Sequence, residues 1–400
     1  MRTLEPIVLD VDFTRDPHGL VETFRDEAPV RRAVAPRGLK FWLVTGHDDV
    51  RAVMTDPRLS KDSKRIRELF ERHNGTQAVA FSQSLAAHML NTDPPDHTRL
   101  RKLVNKAFTP RAVARLRPRI EAITAGLLDR MADAGAVDLL DAFAFPLPIT
   151  VICELLGVPE ADRDAFQGWS NTIVSVSPTE EIQQASVAMS GFLTSLISAK
   201  RAEPSDDLLS DLVHASDEGD SLSPTELVSM AFLLLLAGHE TTVNLIGNGM
   251  LALLREPDQL AALHADPALL PGAIEEFLRY DGPVNLATMR FTTEPVELGG
   301  VTIPEGEFVM VSLLAANRDK RRFADPDTFD VTRQPGGNLA FGHGIHYCVG
   351  APLARLEAEI AVGMLVRRFP RLRLDGEPQD LRWRHSTLMR GLETLPVRVD

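Results

Sequence analysis

The sequence predicts a mainly helical α+β fold in which residues 1–400 form one unit, with a long helical middle and strand-bearing ends. Three observations carry this reading. Apolar positions recur at helical spacing from about Pro95 to Tyr280. Strand-type segments flank that middle on both sides. The chain has no internal repeat and no low-complexity segment to suggest tandem domains.

Taken in order, Val30 to Thr45 alternates around Pro36-Arg37-Gly38 and predicts a hairpin. Asp48 to Met54 predicts a short helix. In Thr150 to Leu156 the apolar helical pattern makes Cys153 a small buried hydrophobe. Ser223-Pro224-Thr225-Glu226 is a helix start: an N-cap serine, a proline at the first helical position and a glutamate three residues after the cap. The pattern then runs to Leu254 and ends at Pro257, roughly 32 residues or ~48 Å at the helical rise. Strand signals return at Val296 to Ile303, followed by the apolar run Phe308 to Leu314. Ala351 to Phe369 predicts a helix, and Leu372 to Val399 mixes short strands with turns.

Composition narrows the function. With 44% hydrophobic and 25% charged residues the chain has the make-up of a soluble globular protein. Its 2 cysteines provide no disulfide framework and suit a reducing cytoplasm. The N-terminal residues lack the basic-then-apolar pattern of a signal peptide. The longest apolar run, Met230 to Gly238, is short of the ~20 residues that span a bilayer, so no membrane anchor is expected. A net charge of -13 argues against nucleic-acid binding. Against that acidic background, Arg99, Arg101, Lys102, Lys106, Arg111, Arg115, Arg117 and Arg119 follow one another with no intervening acid.

The most informative stretch is Phe341 to Gly350. Cys348 ends a loop containing Gly342 and Gly344, and a predicted helix begins directly after Gly350. Free backbone N–H groups and the helix dipole there should lower the thiol pKa. Glycines let a flat ligand approach the backbone. A thiolate on one face of a flat cofactor is the arrangement for axial ligation of haem iron. A second anomaly lies in the long helix, where Ala237-Gly238-His239-Glu240-Thr241-Thr242 interrupts the apolar pattern. A glycine costs about 1 kcal/mol in a helix interior, and a buried glutamate costs more unless paired or protonated. Such failures of local logic are expected at functional sites. His97 and Arg101 stand at i, i+4, on one helix face.

The run Phe341-xx-Gly344-xxx-Cys348-x-Gly350 resembles the haem-binding loop of cytochrome P-450 monooxygenases, and the similarity extends from about Asp16 to Arg398. It implies the P-450 fold, with haem b between the long central helix and the helix after the cysteine. It implies Cys348 as iron ligand, with Phe341, Gly342 and Gly350 around the cofactor. His97, Arg101, Arg290 and His346 match propionate contacts. Glu240 and Thr241 match the acid–alcohol pair that delivers protons during oxygen cleavage. Glu276 and Arg279, with Arg333, match a buried structural triad. His239 departs from the apolar residue often found before the acid, and is either structural or faces the substrate.

The same resemblance places the substrate pocket on Ser60 to Leu90, Phe166 to Met189, Leu234 to Thr241, Val284 to Thr288 and Thr387 to Met389. Ala237, His239, Val284, Leu286, Ala287, Leu388 and Met389 are its named candidates, with polar contacts from Asn285 and Thr288. An apolar pocket with few polar groups suits a bulky lipophilic molecule, and within the family the chain resembles actinobacterial monooxygenases that hydroxylate macrolides, other polyketides or steroid-like compounds. No nucleotide-binding glycine fingerprint is present, so electrons are expected from another protein; the resemblance implies ferredoxin and its reductase, with the basic run and Arg355 as the candidate docking face. A cytoplasmic monomer using O2 is the resulting expectation. The alternatives are a peroxide-driven haem-thiolate enzyme, whose usual arginine in place of the acid–alcohol pair is missing, and a catalytically silent partner protein.

Overall fold

Ser223 opens the element that organises the molecule. Its side chain accepts from the Glu226 backbone at 3.3 Å, while its own N–H donates to the Glu226 carboxylate at 2.8 Å. This reciprocal cap starts a helix of 32 residues, Pro224–Arg255. By length and composition that helix could cross a bilayer, but most of it is buried inside the protein. Helices Pro146–Leu156, Thr179–Ala202, Leu270–Asp281 and Ala351–Arg368 pack around it. Gly249 admits the closest approach: a Cβ there would stand 2.0 Å from the Phe277 ring of helix Leu270–Asp281.

The computed structural model describes residues 5–36, 38–74, 85, 88–174, 178–217, 219–334 and 336–400. Parts of two segments expected to line the pocket, within Ser60 to Leu90 and Phe166 to Met189, lie outside the described residues, as does Arg37 of the hairpin turn.

The hairpin pairs Val30–Val34 with Lys40–Val44 in antiparallel register. It belongs to a mixed sheet of six strands. Phe308–Val311 joins it in parallel to Lys40–Val44, Arg290–Thr292 runs antiparallel to Phe308–Val311, and Leu59–Ser60 forms the edge. The apolar run Phe308 to Leu314 divides at Ser312, whose side chain accepts from the Ala315 N–H and caps the short helix Leu313–Asn317. The main core lies among the helices, and two smaller apolar clusters lie against the sheet. Cys153 is in the helical core, fully buried, and burial pushes its thiol up to about 11.

Candidate active site around Cys348

Helix Asp96–Ala107, the central helix, the extended chain at 283–290 and the loop before Ala351 converge on one cavity. It holds about 1460 Å³ of unfilled space, part of it open to solvent. Cys348, Phe341, Gly342, His346 and Gly350 form one wall. Ala237, Gly238 and Thr241 come from the central helix, with Val284, Ala287 and Thr288 beside them.

The cysteine loop is built by its glycines. Gly342 and Gly344 have φ of 76° and 72°, the left-handed region that favours glycine. At Gly344 a Cβ would also stand 2.7 Å from the Met54 carbonyl oxygen, so the loop closes tightly on helix His47–Thr55. The Cys348 N–H donates to the Phe341 carbonyl at 2.9 Å. Contrary to the expectation from its N–H neighbours, the thiol pKa is raised. Burial is the largest influence; the N–H groups of Gly350 and Ala351, with Arg101 and Arg355, oppose it without overcoming it. The enclosed sulfur therefore needs a cation facing it before it ionises, and an iron ion meets that need.

On the opposite wall, Thr241 donates to the Ala237 carbonyl at 2.5 Å and Thr242 to that of Gly238 at 2.8 Å. Both hydroxyls are held four residues back along the helix, leaving the Thr241 oxygen lone pairs available to the cavity. Glu240, one residue earlier, turns away from the cavity. Arg384 donates to it at 3.3 Å and also covers the Phe145 ring at 5.0 Å. Burial raises the Glu240 pKa, against the lowering influence of Arg384.

A third part of the cavity is rich in cations. His97 and Arg101 share a face of their helix, and the His97 and His346 rings are 4.4 Å apart. Arg290 is buried and donates to the Thr288 carbonyl at 3.2 Å, and Arg101 donates to that of Tyr347 at 2.8 Å. Both therefore pair with neutral oxygens. Burial lowers Arg290 to about 10, and burial with neighbouring cations lowers His346 to about 2. Buried His97 Nε2 has no hydrogen-bond partner. An acidic, planar group with a metal at its centre satisfies all of these residues at once, so the site fits haem b.

Outside the cavity, Arg279 forks onto Glu276 at 2.7 and 2.8 Å, and Arg333 donates to the same carboxylate at 3.2 Å. Four of the pocket candidates are turned elsewhere. His239 is buried against the Phe145 ring, 6.2 Å away, beside Ser170 and Ile173. One helical step separates it from Gly238, which points it to the far side. Leu286 sits in the sheet-side core, because the extended chain there alternates sides. Leu388 is 40% exposed. Met389 bridges to Val284 but does not line the cavity.

The basic run is not a free cationic face. Arg99 pairs with Asp220 and Glu226, Arg115 with Asp206 and Asp211, Arg117 with Glu121, and Arg119 with Glu154. Arg355 pairs with Glu275 and covers Phe341. Acids distant in sequence pair with Arg99, Arg115 and Arg119, and a local one with Arg117, so half of the run is engaged in ion pairs.

Two charged lining residues have no role assigned from the sequence: Glu357, and Lys61 within the expected segment Ser60 to Leu90. Glu357 is 3% exposed, its Oε2 has no partner, and burial raises its pKa well above the carboxylate range. Its signal was an acid in the apolar face shared with Leu353 and Ile360. A lone lysine such as Lys61 reads as surface.

Comparison with known proteins agrees with this geometry. The family model described as Cytochrome P450 matches residues 170–390. Cytochrome P450 107B1 of Saccharopolyspora erythraea is 58% identical over 98% of this chain and 97% of its own. The vitamin D(3) 25-hydroxylase of Pseudonocardia autotrophica is 50% identical over 96% of this chain and 94% of its own. The tirandamycin C-bound P450 monooxygenase TamI superposes with a TM-score of 0.91 at 53% identity, covering 99% of this chain and 100% of that one. With a thiolate loop, a cationic cradle and an interrupted central helix around one cavity, and with relatives this similar along almost its whole length, the chain belongs to the cytochrome P450 family and is a haem b monooxygenase.

Proposed function

We propose that this monooxygenase hydroxylates a bulky, lipophilic polyketide, macrolide or secosteroid-like molecule in the bacterial cytoplasm, with electrons from a ferredoxin and its reductase. The cavity carries the reading. Beyond the cysteine loop its walls are Met89, Leu90, Ile152, Leu155, Leu233 and Leu234, with few polar groups to demand a matching substrate polarity. The names of two relatives, one tirandamycin-bound and one a vitamin D(3) hydroxylase, are consistent with large apolar substrates. The missing flavin and nicotinamide fingerprints support an external electron donor.

Haem b, once bound at Cys348, supplies the iron chemistry that activates dioxygen toward a C–H bond. The chain's own residues do the rest. The apolar walls exclude water and hold the substrate. Thr241 presents a hydroxyl to the cavity, able to hold a proton or a water at its Oγ1. Glu240, half-buried at Arg384, takes up a proton on the solvent side and passes it toward Thr241. The Glu276, Arg279 and Arg333 triad holds the loop before the cysteine against helix Leu270–Asp281. A visible-spectrum titration of the holoenzyme with macrolides, other polyketides, secosteroids and fatty acids tests the substrate class. A Soret shift to shorter wavelength with the first three groups is expected; a shift with fatty acids alone removes the proposal. Turnover supported by ferredoxin and reductase, and not by peroxide alone, tests the electron source.

A further inference from the structure

Lys61 is buried, 2% exposed, and lines the same cavity as Cys348. Its position follows from strand register. Leu59 pairs with Thr292 and Ser60 with Phe291, antiparallel. Continuing one residue sets Lys61 opposite Arg290, where paired side chains share a face. Like charges directly opposite each other are destabilising. Lys61 Nζ meets only a neutral oxygen, Thr288 Oγ1. Asp93, the nearest acid, accepts instead from the Lys61 backbone at 3.0 Å and from the Ser60 hydroxyl. Among the described residues no carboxylate forms an ion pair with Lys61, Arg101 or Arg290. Burying an uncompensated charge costs several kcal/mol, so these groups are arranged for an anion that arrives with a ligand.

We infer that Lys61 is a haem-propionate ligand, a fifth group beside His97, Arg101, Arg290 and His346. Charge supports this assignment. Burial and the Arg290 charge lower the Lys61 pKa well below that of a free ammonium, and a propionate beside Nζ would hold it charged; Lys61, Arg101 and Arg290 then exceed Asp93 by two positive charges, matching the two propionates of haem b. The unpartnered His97 Nε2 lies in the same cradle and points to the same ligand. Thr288 then acts as the neutral rest that aligns the ammonium group. The inference rests on the haem site and is independent of the substrate proposal.

The test uses purified holoenzyme carrying Lys61→Met or Lys61→Arg. Haem transfer to excess apomyoglobin should be roughly tenfold faster in Lys61→Met, the weight of one charge-assisted hydrogen bond. The midpoint potential of the same variant should fall, since a positive charge near the iron is lost. Lys61→Arg should stay near wild type in both. Unchanged transfer and potential in Lys61→Met overturn the assignment. So does a Lys61→Met protein that keeps its haem normally yet binds fatty-acid carboxylates more weakly, which would make Lys61 a substrate anchor. If Lys61→Met does not accumulate with haem, resonance Raman of wild type and Lys61→Arg decides: the propionate bending band must differ between them, and identical bands refute the contact.

Discussion

At the residue scale, Cys348 and Thr241 face each other across one cavity, and their roles separate cleanly by measurement. Cys348→Ser should abolish the thiolate-type Soret band of the reduced carbon-monoxide form; an unchanged band would mean the sulfur does not bind iron. Thr241→Ala removes the hydroxyl at the cavity face. Product formed per electron pair should drop about a hundredfold, the low end of a general acid–base contribution, while substrate binding persists. Full coupling would leave Thr241 only a helix-bending role. Glu240 carries a pH signature. Its pKa is raised by burial and lowered by Arg384. Relay requires the ionised form to take up a proton, so activity is lost on the acid side of that pKa. Removing the guanidinium in Arg384→Met raises the pKa further, and the acid limb of the product-formation profile should move to higher pH. A limb that stays in place would detach Glu240 from proton delivery.

At the element scale, two contacts decide how the helices meet. Gly249 and Phe277 interlock the central helix with Leu270–Asp281. Gly249→Ala forces a methyl into the ring, and should cost about 1–3 kcal/mol, toward the upper end; urea unfolding of the holoenzyme measures it. The Glu276 carboxylate is fully buried between Arg279 and Arg333. Glu276→Gln leaves a buried guanidinium without its counter-charge, a loss of about 3–5 kcal/mol, visible as a lower melting temperature and poor haem retention. These elements were partly legible in sequence. The cap at Ser223, the proline stop and the i, i+3 spacing are local signals, and each is decided by neighbours a few residues away. The division of Phe308 to Leu314 was not legible, because a serine inside an apolar run becomes a cap only where the sheet ends.

At the scale of the whole molecule, buried histidines set an acid limit. His18, His88 and His239 are each lowered to about 4, mainly by burial. The fold favours their neutral forms. That contribution is complete above the unfolded value near 6.5 and is lost as pH falls from there toward 4, up to about 3 kcal/mol each. Asp281, held down by Arg390 and His18 despite its burial, works in the same direction below 3.8. Stability should therefore decline between pH 6.5 and 4, and His239→Asn should flatten part of that slope; a stability independent of pH across this range would contradict it.

By itself the sequence determined the reaction class. Cys348, its glycines and the following helix are contiguous, and His97–Arg101 and Glu240–Thr241 lie within a helical turn, so the family's motifs are recognisable in short stretches and the resemblance supplies their chemistry. Tertiary structure alone decided which side chains reach the cavity. His239, Leu286 and Leu388 are apolar or neutral residues on the right segments, but helix phase, strand alternation and loop exposure turn them away. Tertiary structure also paired Arg99 of the basic run with acids 121 and 127 residues away, and brought Lys61, just past a strand pairing, into the same cavity as Arg290. Charge and burial are properties of assembled neighbours, and a chain read in one dimension cannot place neighbours that only the fold brings together.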